Sequence, residues 1–146
     1  MKIYFSSGSG DFGFLSNFYE RSFEYSERMW KTSESCYQAM KSPIFEQQEW
    51  VRASVSPGES KRRGRQLAII REDWDDQKLF FMEDILHYKF LDGYLRVLLL
   101  DTGDAELIEY TYWNDRYWGV GTDYKGENHL GKILMKVRAE IAKKYM

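Results

Sequence analysis

A chain of 146 residues, 43% apolar and 30% charged, holds enough material for one domain with a real core, but not comfortably for two. A formal charge of -2 and a pI near 5.8 argue against a dedicated duplex-DNA binder, while leaving room for a local phosphate site. One cysteine cannot close an internal disulfide, and two histidines with one cysteine cannot assemble a typical zinc site, so neither a metal nor another cofactor is expected.

From the start, Lys2 to Phe5 alternates and carries β-formers, which predicts a short strand. Ser6 to Gly13 is a Ser/Gly-rich loop. Phe23–Tyr25 and Met29–Lys31 form the arms of a hairpin turning through Ser26–Arg28. Thr32 or Ser33 caps a helix that runs to about Lys41, where Ser42-Pro43 stops it. A helix over Ile44–Ala53 follows, then a short one carrying Lys61, Arg62, Arg63 and Arg65. Asp73 caps a helix from Trp74 to about Leu91 with Leu79, Met82, Leu86 and Phe90 on its inner stripe, and after Asp92-Gly93 the chain continues as helix over Tyr94–Leu100. Asp101–Asp104 turns, Leu107–Thr111 is a strand, and Trp113–Asp123 is irregular and aromatic-rich. Asn128 caps the last helix, where Leu130, Ile133, Leu134, Val137 and Ile141 keep the 3.6 period. No leader, internal repeat or linker is visible, and no apolar run approaches the ~20 residues that span a bilayer. The expectation is a helix-rich α+β fold with a few short strands, a single domain over residues 1–146, working in the cytoplasm.

Chemistry concentrates in few places. Glu34 and Lys41 are seven residues apart, so on a helix they share a face within about 20°, two turns apart, with Tyr37 and Gln38 between them. A carboxylate, an amide and an amine on one stripe can grip a polar substrate together; they equally fit an ordinary solvated face. Trp118-Gly119-Val120-Gly121 lets backbone approach a ligand beside a stacking ring, or makes a tight turn around a core Trp. Asp115 is a second carboxylate or a turn residue. Gly126 to Gly131 opens the last helix, whose first N–H groups suit a phosphate, with Arg138 seven residues on; a capped helix with a surface Arg reads equally well. Lys61 to Arg65 is the main basic cluster, a phosphate contact or a solvated face. Cys36 has no histidine on its helix to activate it and reads as structural. The aromatic density, 5 Trp, 11 Tyr and 9 Phe, fits a ring-lined pocket as well as a ring-rich core.

Phe14-Leu15-Ser16-Asn17-Phe18, then Trp30-Lys31-Thr32-Ser33-Glu34 through Tyr37-Gln38-Ala39 to Lys41, resemble motifs of the NADAR (NAD and ADP-ribose) family, the YbiA-like N-glycosidases. Lys89-Phe90, Leu99 to Gly103, Leu107 to Glu109, Asp115, Trp118 to Gly121, and Gly126 to Gly131 through Leu134-Met135 to Arg138 follow in the family's order across nearly the whole chain. Ser35-Cys36 departs from the pattern, standing where larger residues are usual.

The resemblance implies a single YbiA-like domain that hydrolyses an N-glycosidic bond between a phosphorylated ribose and a nitrogen base. The base would come from a phosphoribosylamino-pyrimidine of riboflavin biosynthesis, or would be an ADP-ribosylated guanine in nucleic acid. Glu34, Lys41 and Asp115 would then be catalytic. Asn17, Phe18, Trp30, Tyr37, Gln38, Trp118, Gly119, Gly121, Asn128, Gly131 and Arg138 would hold substrate. Glu34 would stabilise an oxocarbenium-like transition state, with Lys41 either a proton donor or a Schiff-base nucleophile. The alternative is a non-catalytic module that binds ADP-ribose or NAD.

Overall fold

The computed structural model describes residues 1–145. The fold class is the helix-rich α+β expected, six α-helices and four short strands among the described residues. The chain divides into two compact units: Met1–Tyr19 with Phe90–Met146, and Glu20–Lys89.

In the first unit β1 (Lys2–Phe5) buries Ile3 and Phe5 and turns Lys2 and Tyr4 outward, the period of two expected of a half-buried strand. It pairs in parallel with β4 (Glu106–Glu109), Lys2 opposite Glu106 and Phe5 opposite Glu109. A parallel pair needs a crossover, and here that crossover includes the whole second unit. A short 3-10 turn, Gly13–Leu15, follows the Ser/Gly loop. The last helix, α6 (His129–Tyr145), buries Leu130, Ile133, Leu134, Val137 and Ile141, every position its period picked out, and packs on β4. Before it, α5 (Gly93–Asp101) begins afresh rather than continuing its predecessor, because the Asp92 carboxylate accepts from the N–H groups of Tyr94 and Leu95.

The second unit starts with an antiparallel hairpin, β2 (Phe23–Tyr25) and β3 (Arg28–Trp30). Its loop is two residues, Ser26 and Glu27, both at positive φ (53° and 62°). That is the mirror-image turn that matches strand twist, and it brings Arg28 into the ladder opposite Tyr25, one residue earlier than predicted. Four helices follow: α1 (Ser33–Met40), α2 (Phe45–Arg52), α3 (Pro57–Arg65) and α4 (Trp74–Lys89). α3 begins a turn earlier than the basic run suggested. Ser56 caps it by accepting from Glu59 N–H at 3.1 Å, with Pro57 in the first turn. The expected inner stripe of α4 is corrected at one position: Met82, Leu86 and Phe90 are buried as expected, with Trp74, Ile85 and Lys89 beside them, but Leu79 is exposed. α1 is the hub, packed against α2, α3, α4 and β3.

Candidate active site

α1 starts where Thr32, in an extended conformation, turns its hydroxyl to accept from Ser35 N–H at 3.1 Å. All eight of its residues are buried although half are polar. That disposes of the solvated-face reading. Glu34 is only 9% exposed and Gln38 5%. A carboxylate that deep costs free energy unless something compensates it, which makes Glu34 the candidate to follow.

One compensation is local. Gln38 Nε2 donates to Glu34 Oε2 at 3.2 Å, one helical turn away. The other end of that amide, Oε1, is buried with no hydrogen-bond partner and lies against Gly64 of α3, where any Cβ would run into it. The glycine leaves room for the Gln38 side chain in this position, with the N–H side of its amide toward the carboxylate. Gln38, expected to hold substrate, therefore also orients Glu34.

Lys41 follows the last residue of α1 with helical backbone angles, so the seven-residue geometry holds. Its amine is half-buried and sits 5.8 Å from the centroid of the Tyr37 ring, a cation–π distance. Tyr37 in turn leans on Trp74 of α4, with centroids 5.3 Å apart. Burial pulls the Lys41 pKa below that of an ordinary lysine. The Glu34 carboxylate works against that, and Arg65, Lys61 and Lys78 push further down. The carbonyls at the end of α1 are also satisfied: Arg71 N–H donates to Lys41 O at 2.8 Å and Arg71 Nε to Met40 O at 2.7 Å. A carboxylate and an amine with a neutral fraction, on one buried stripe, can stabilise a cationic transition state or attack an electrophilic carbon.

Trp30 does not join this group. Its side chain is fully buried, its indole N–H donates to Tyr25 O at 2.9 Å, and the Arg28 guanidinium lies 5.0 Å from the ring. It is a core residue of the hairpin, which corrects its assignment to substrate. Cys36 is buried, and burial pushes its thiol well above the usual range, as befits a structural cysteine.

In the first unit the loop before α6 collects Asp115, Trp118, Gly119 and Gly121, with most of its polar groups turned on each other. Asp115 Oδ1 accepts from the N–H groups of Tyr117 (3.0 Å) and Trp118 (2.9 Å), the turn role. Trp118 is half-buried, edge-on to Tyr117 at 5.0 Å. Gly119 is pressed on the Glu109 carbonyl, and Gly121 sits at φ +71°. The start of α6 is not an open anion site. The N–H groups of Glu127, Asn128, His129 and Leu130 donate to the carbonyls of Arg116, Gly119, Tyr117 and Trp118 at 2.8–3.1 Å.

The same holds for the side chains there. Asn128 Oδ1 accepts from Glu109 N–H at 3.0 Å and its Nδ2 donates to Leu107 O at 2.9 Å, so this side chain fastens β4 instead of capping the helix or meeting a phosphate. Gly131 is a glycine because a Cβ would strike the Leu107 carbonyl. Arg138 is no surface residue: it is buried and donates to Thr102 Oγ1 at 2.8 Å. Asn17 is buried, and Phe18, half-buried, stacks on Trp113 at 5.8 Å.

Sequence reasoning passed over Gly64, Arg71, Lys78 and Lys89. A glycine inside a basic helix is an unfavourable choice and was the available signal for Gly64. Lys89 entered only as part of a family motif with no role given to it, yet it is 2% exposed, and burial pulls its pKa down to about 7.

The NADAR domain family model matches residues 4–142. "N-glycosidase YbiA" of Shigella flexneri is 40% identical over 142 residues, covering 96% of this chain and 88% of that protein. An N-glycosidase of Nostoc punctiforme is 37% identical over 146 residues, 97% and 93% of the two chains. A riboflavin biosynthesis protein of Vibrio vulnificus is 40% identical over 141 residues, 95% of this chain and 38% of that longer protein. The NMR structure of the E. coli protein YbiA superposes with a TM-score of 0.88 at 38% identity, over 99% of this chain and 88% of that one. The family resemblance read from the motifs is thereby established: the chain belongs to the NADAR domain family.

Proposed function

We propose that this NADAR protein is an N-glycosidase that hydrolyses the bond between a phosphorylated ribose and a nitrogen base, with Glu34 and Lys41 as its catalytic residues. The observation that carries this reading is the buried Glu34 carboxylate on one stripe with Lys41, in a chain 40% identical to an N-glycosidase. The family match runs through both units, and the whole chain is proposed to act as one catalytic domain.

As the base departs, positive charge grows on the ribose C1′ and ring oxygen, and Glu34 stabilises it. The lowered pKa of Lys41 favours the amine as nucleophile. Its nitrogen bonds to C1′ as the C1′–N bond to the base breaks, and the base leaves with a proton given up by the newly alkylated amine. Opening of the ribose ring gives a protonated Schiff base, and water adds to it, returning the free sugar and the amine. Gln38 holds the Glu34 carboxylate in place throughout. Asp115 is secondary in this scheme, since one of its oxygens is committed to a turn.

The riboflavin biosynthesis relative makes a phosphoribosylamino-pyrimidine the first substrate to try. ADP-ribose on guanine is the second, and cytoplasmic action is part of the same reading; no helix among the described residues is long and apolar enough to cross a membrane. The test is a chromatographic screen of riboflavin intermediates, NAD, ADP-ribose and ADP-ribosylated guanine oligonucleotides. Release of a free base from one of them is expected, and binding of ADP-ribose with no base released from any would favour the binding-module alternative.

A further inference from the structure

β1 and β4 run in parallel and end together, at Phe5 and Glu109, and the next N–H, that of Tyr110, donates to Phe5 O at 3.0 Å. The carboxyl ends of parallel strands are where a sheet commonly opens a crevice for a ligand. Here a cavity of about 260 Å³ opens there, with Tyr4, Ser6, Ser9, Asp11, Phe12 and Tyr110 in its lining, all of the first unit. One wall, residues 9–12, is the tip of the Ser/Gly loop, and that loop is pinched at its base. A Cβ on Gly13 would stand 2.5 Å from the Gly8 carbonyl, and Gly13 N–H donates to Gly10 O at 3.1 Å. A loop closed on itself in this way holds its shape.

The walls combine aromatic rings with one acid. Tyr4 and Phe12 are exposed, Tyr110 is half-buried, and Tyr124 stacks on Tyr110 with centroids 5.2 Å apart and planes 18° from parallel. Tyr124 takes one face of that ring, and a further flat ring would extend the stack. Asp11 is exposed, and its carboxylate has no hydrogen bond or ion pair among the described residues. We propose that this cavity is a nucleobase site that takes guanine, stacked on the tyrosine rings with its N1–H and exocyclic amine donating to the Asp11 carboxylate. Guanine sets two donors side by side, which match the two carboxylate oxygens; adenine, cytosine and uracil would each turn an acceptor toward them. Ser6 and Ser9 add hydroxyls able to donate to the oxygen and ring nitrogen of the base. Volume sets the size of the ligand: drug-sized molecules occupy pockets of ~300–1,000 Å³, so this cavity fits a base and not a dinucleotide. No residue of α1 lines it, and the site needs neither Glu34 nor Lys41.

Calorimetric titration of the whole protein with guanosine, inosine, adenosine, cytidine and choline tests the site without turnover. Guanosine should bind most tightly, with inosine, which lacks the exocyclic amine, about tenfold weaker. Asp11→Asn, at an exposed position and checked for its fold by circular dichroism, should erase that preference. Tyr110→Leu should weaken every nucleoside about tenfold, and Tyr4→Leu, at an exposed ring, should weaken them in the same direction. Glu34→Gln and Asp75→Asn, neither of which touches the lining, should bind guanosine as the unaltered protein does. A guanine-bearing single strand that binds at least about tenfold more tightly than guanosine assigns the base to nucleic acid, and equal affinity assigns it to a free nucleoside. Nucleosides that bind equally well, a guanosine preference that survives Asp11→Asn, or choline bound in their place would overturn the site. Loss of guanosine binding in Glu34→Gln would overturn it too, by moving the base to α1.

Discussion

The end of α1 and the start of α6 both offer polar groups in the pattern of a ligand site, and the two are built in opposite ways. At the start of α6 four successive N–H groups go to loop carbonyls, Asn128 ties down β4, and Gly131 makes room for a backbone oxygen. Along α1 a buried carboxylate has an amide beside it, an amine is held partly desolvated, and further cations act on that amine. The first region spends its polarity on its own architecture. The second concentrates ionisable groups in a buried setting, the kind of environment in which functional sites are found.

The largest effect expected of this contrast falls on Lys41. Lys41→Met should lower base release by at least about 100-fold with substrate binding largely kept. Borohydride added during turnover should fix sugar to Lys41 in the unaltered protein, seen as a mass increase on the peptide that carries it. Failure to trap any adduct would leave Lys41 as a proton donor. Because the neutral amine is the reactive form and its pKa is lowered, the rate should rise with pH through a midpoint below the 10.5 of an ordinary lysine. A midpoint at or above 10.5 would contradict the desolvated site.

Two glycines separate the regions further. Gly131→Ala must move a backbone carbonyl and should destabilise the protein by about 1–3 kcal/mol in denaturant titration, with KM of the folded fraction unchanged. Gly64→Ala meets side-chain atoms of Gln38 and no backbone, so it should cost less stability. It displaces the amide that holds Glu34 and should lower kcat. If both variants changed stability alone, Gln38 would have no positioning role. The smallest effect is expected at Asp115→Asn: asparagine Oδ1 can accept the same two turn N–H groups, so activity should stay within about threefold. A loss on the scale of the Lys41 variant would restore Asp115 as a catalytic carboxylate.

Periodicity carried most of the fold. The stripe of α6, the alternation of β1 and the break at Ser42-Pro43 depend on local pattern and were legible in the residues. Burial of a polar helix was not, because the pattern of α1 fits a solvated face as well as a hub; what decides is that four elements pack around it. The inner stripe of α4 held at Met82, Leu86 and Phe90 but not at Leu79, which is as apolar as Leu86 and yet faces out, so tertiary packing and not the residue type decided it. At the active site, spacing alone paired Glu34 with Lys41. The cations of α3 and α4 that act on the pair are 20 residues or more from Lys41 in sequence, and no local rule connects them. Trp30, Asn128, Gly131 and Arg138 show the reverse: residues whose identity suits a substrate are employed in holding strand, loop and helix together.

Single-turnover base release by Glu34→Gln tests the central claim most directly. Glutamine keeps the size of the side chain and one acceptor oxygen for the Gln38 amide while removing the charge. The account predicts a folded variant whose release of base from a phosphoribosylamino-pyrimidine falls by at least about 100-fold relative to the unaltered protein. Release at the unaltered rate would contradict it and move the reaction away from α1.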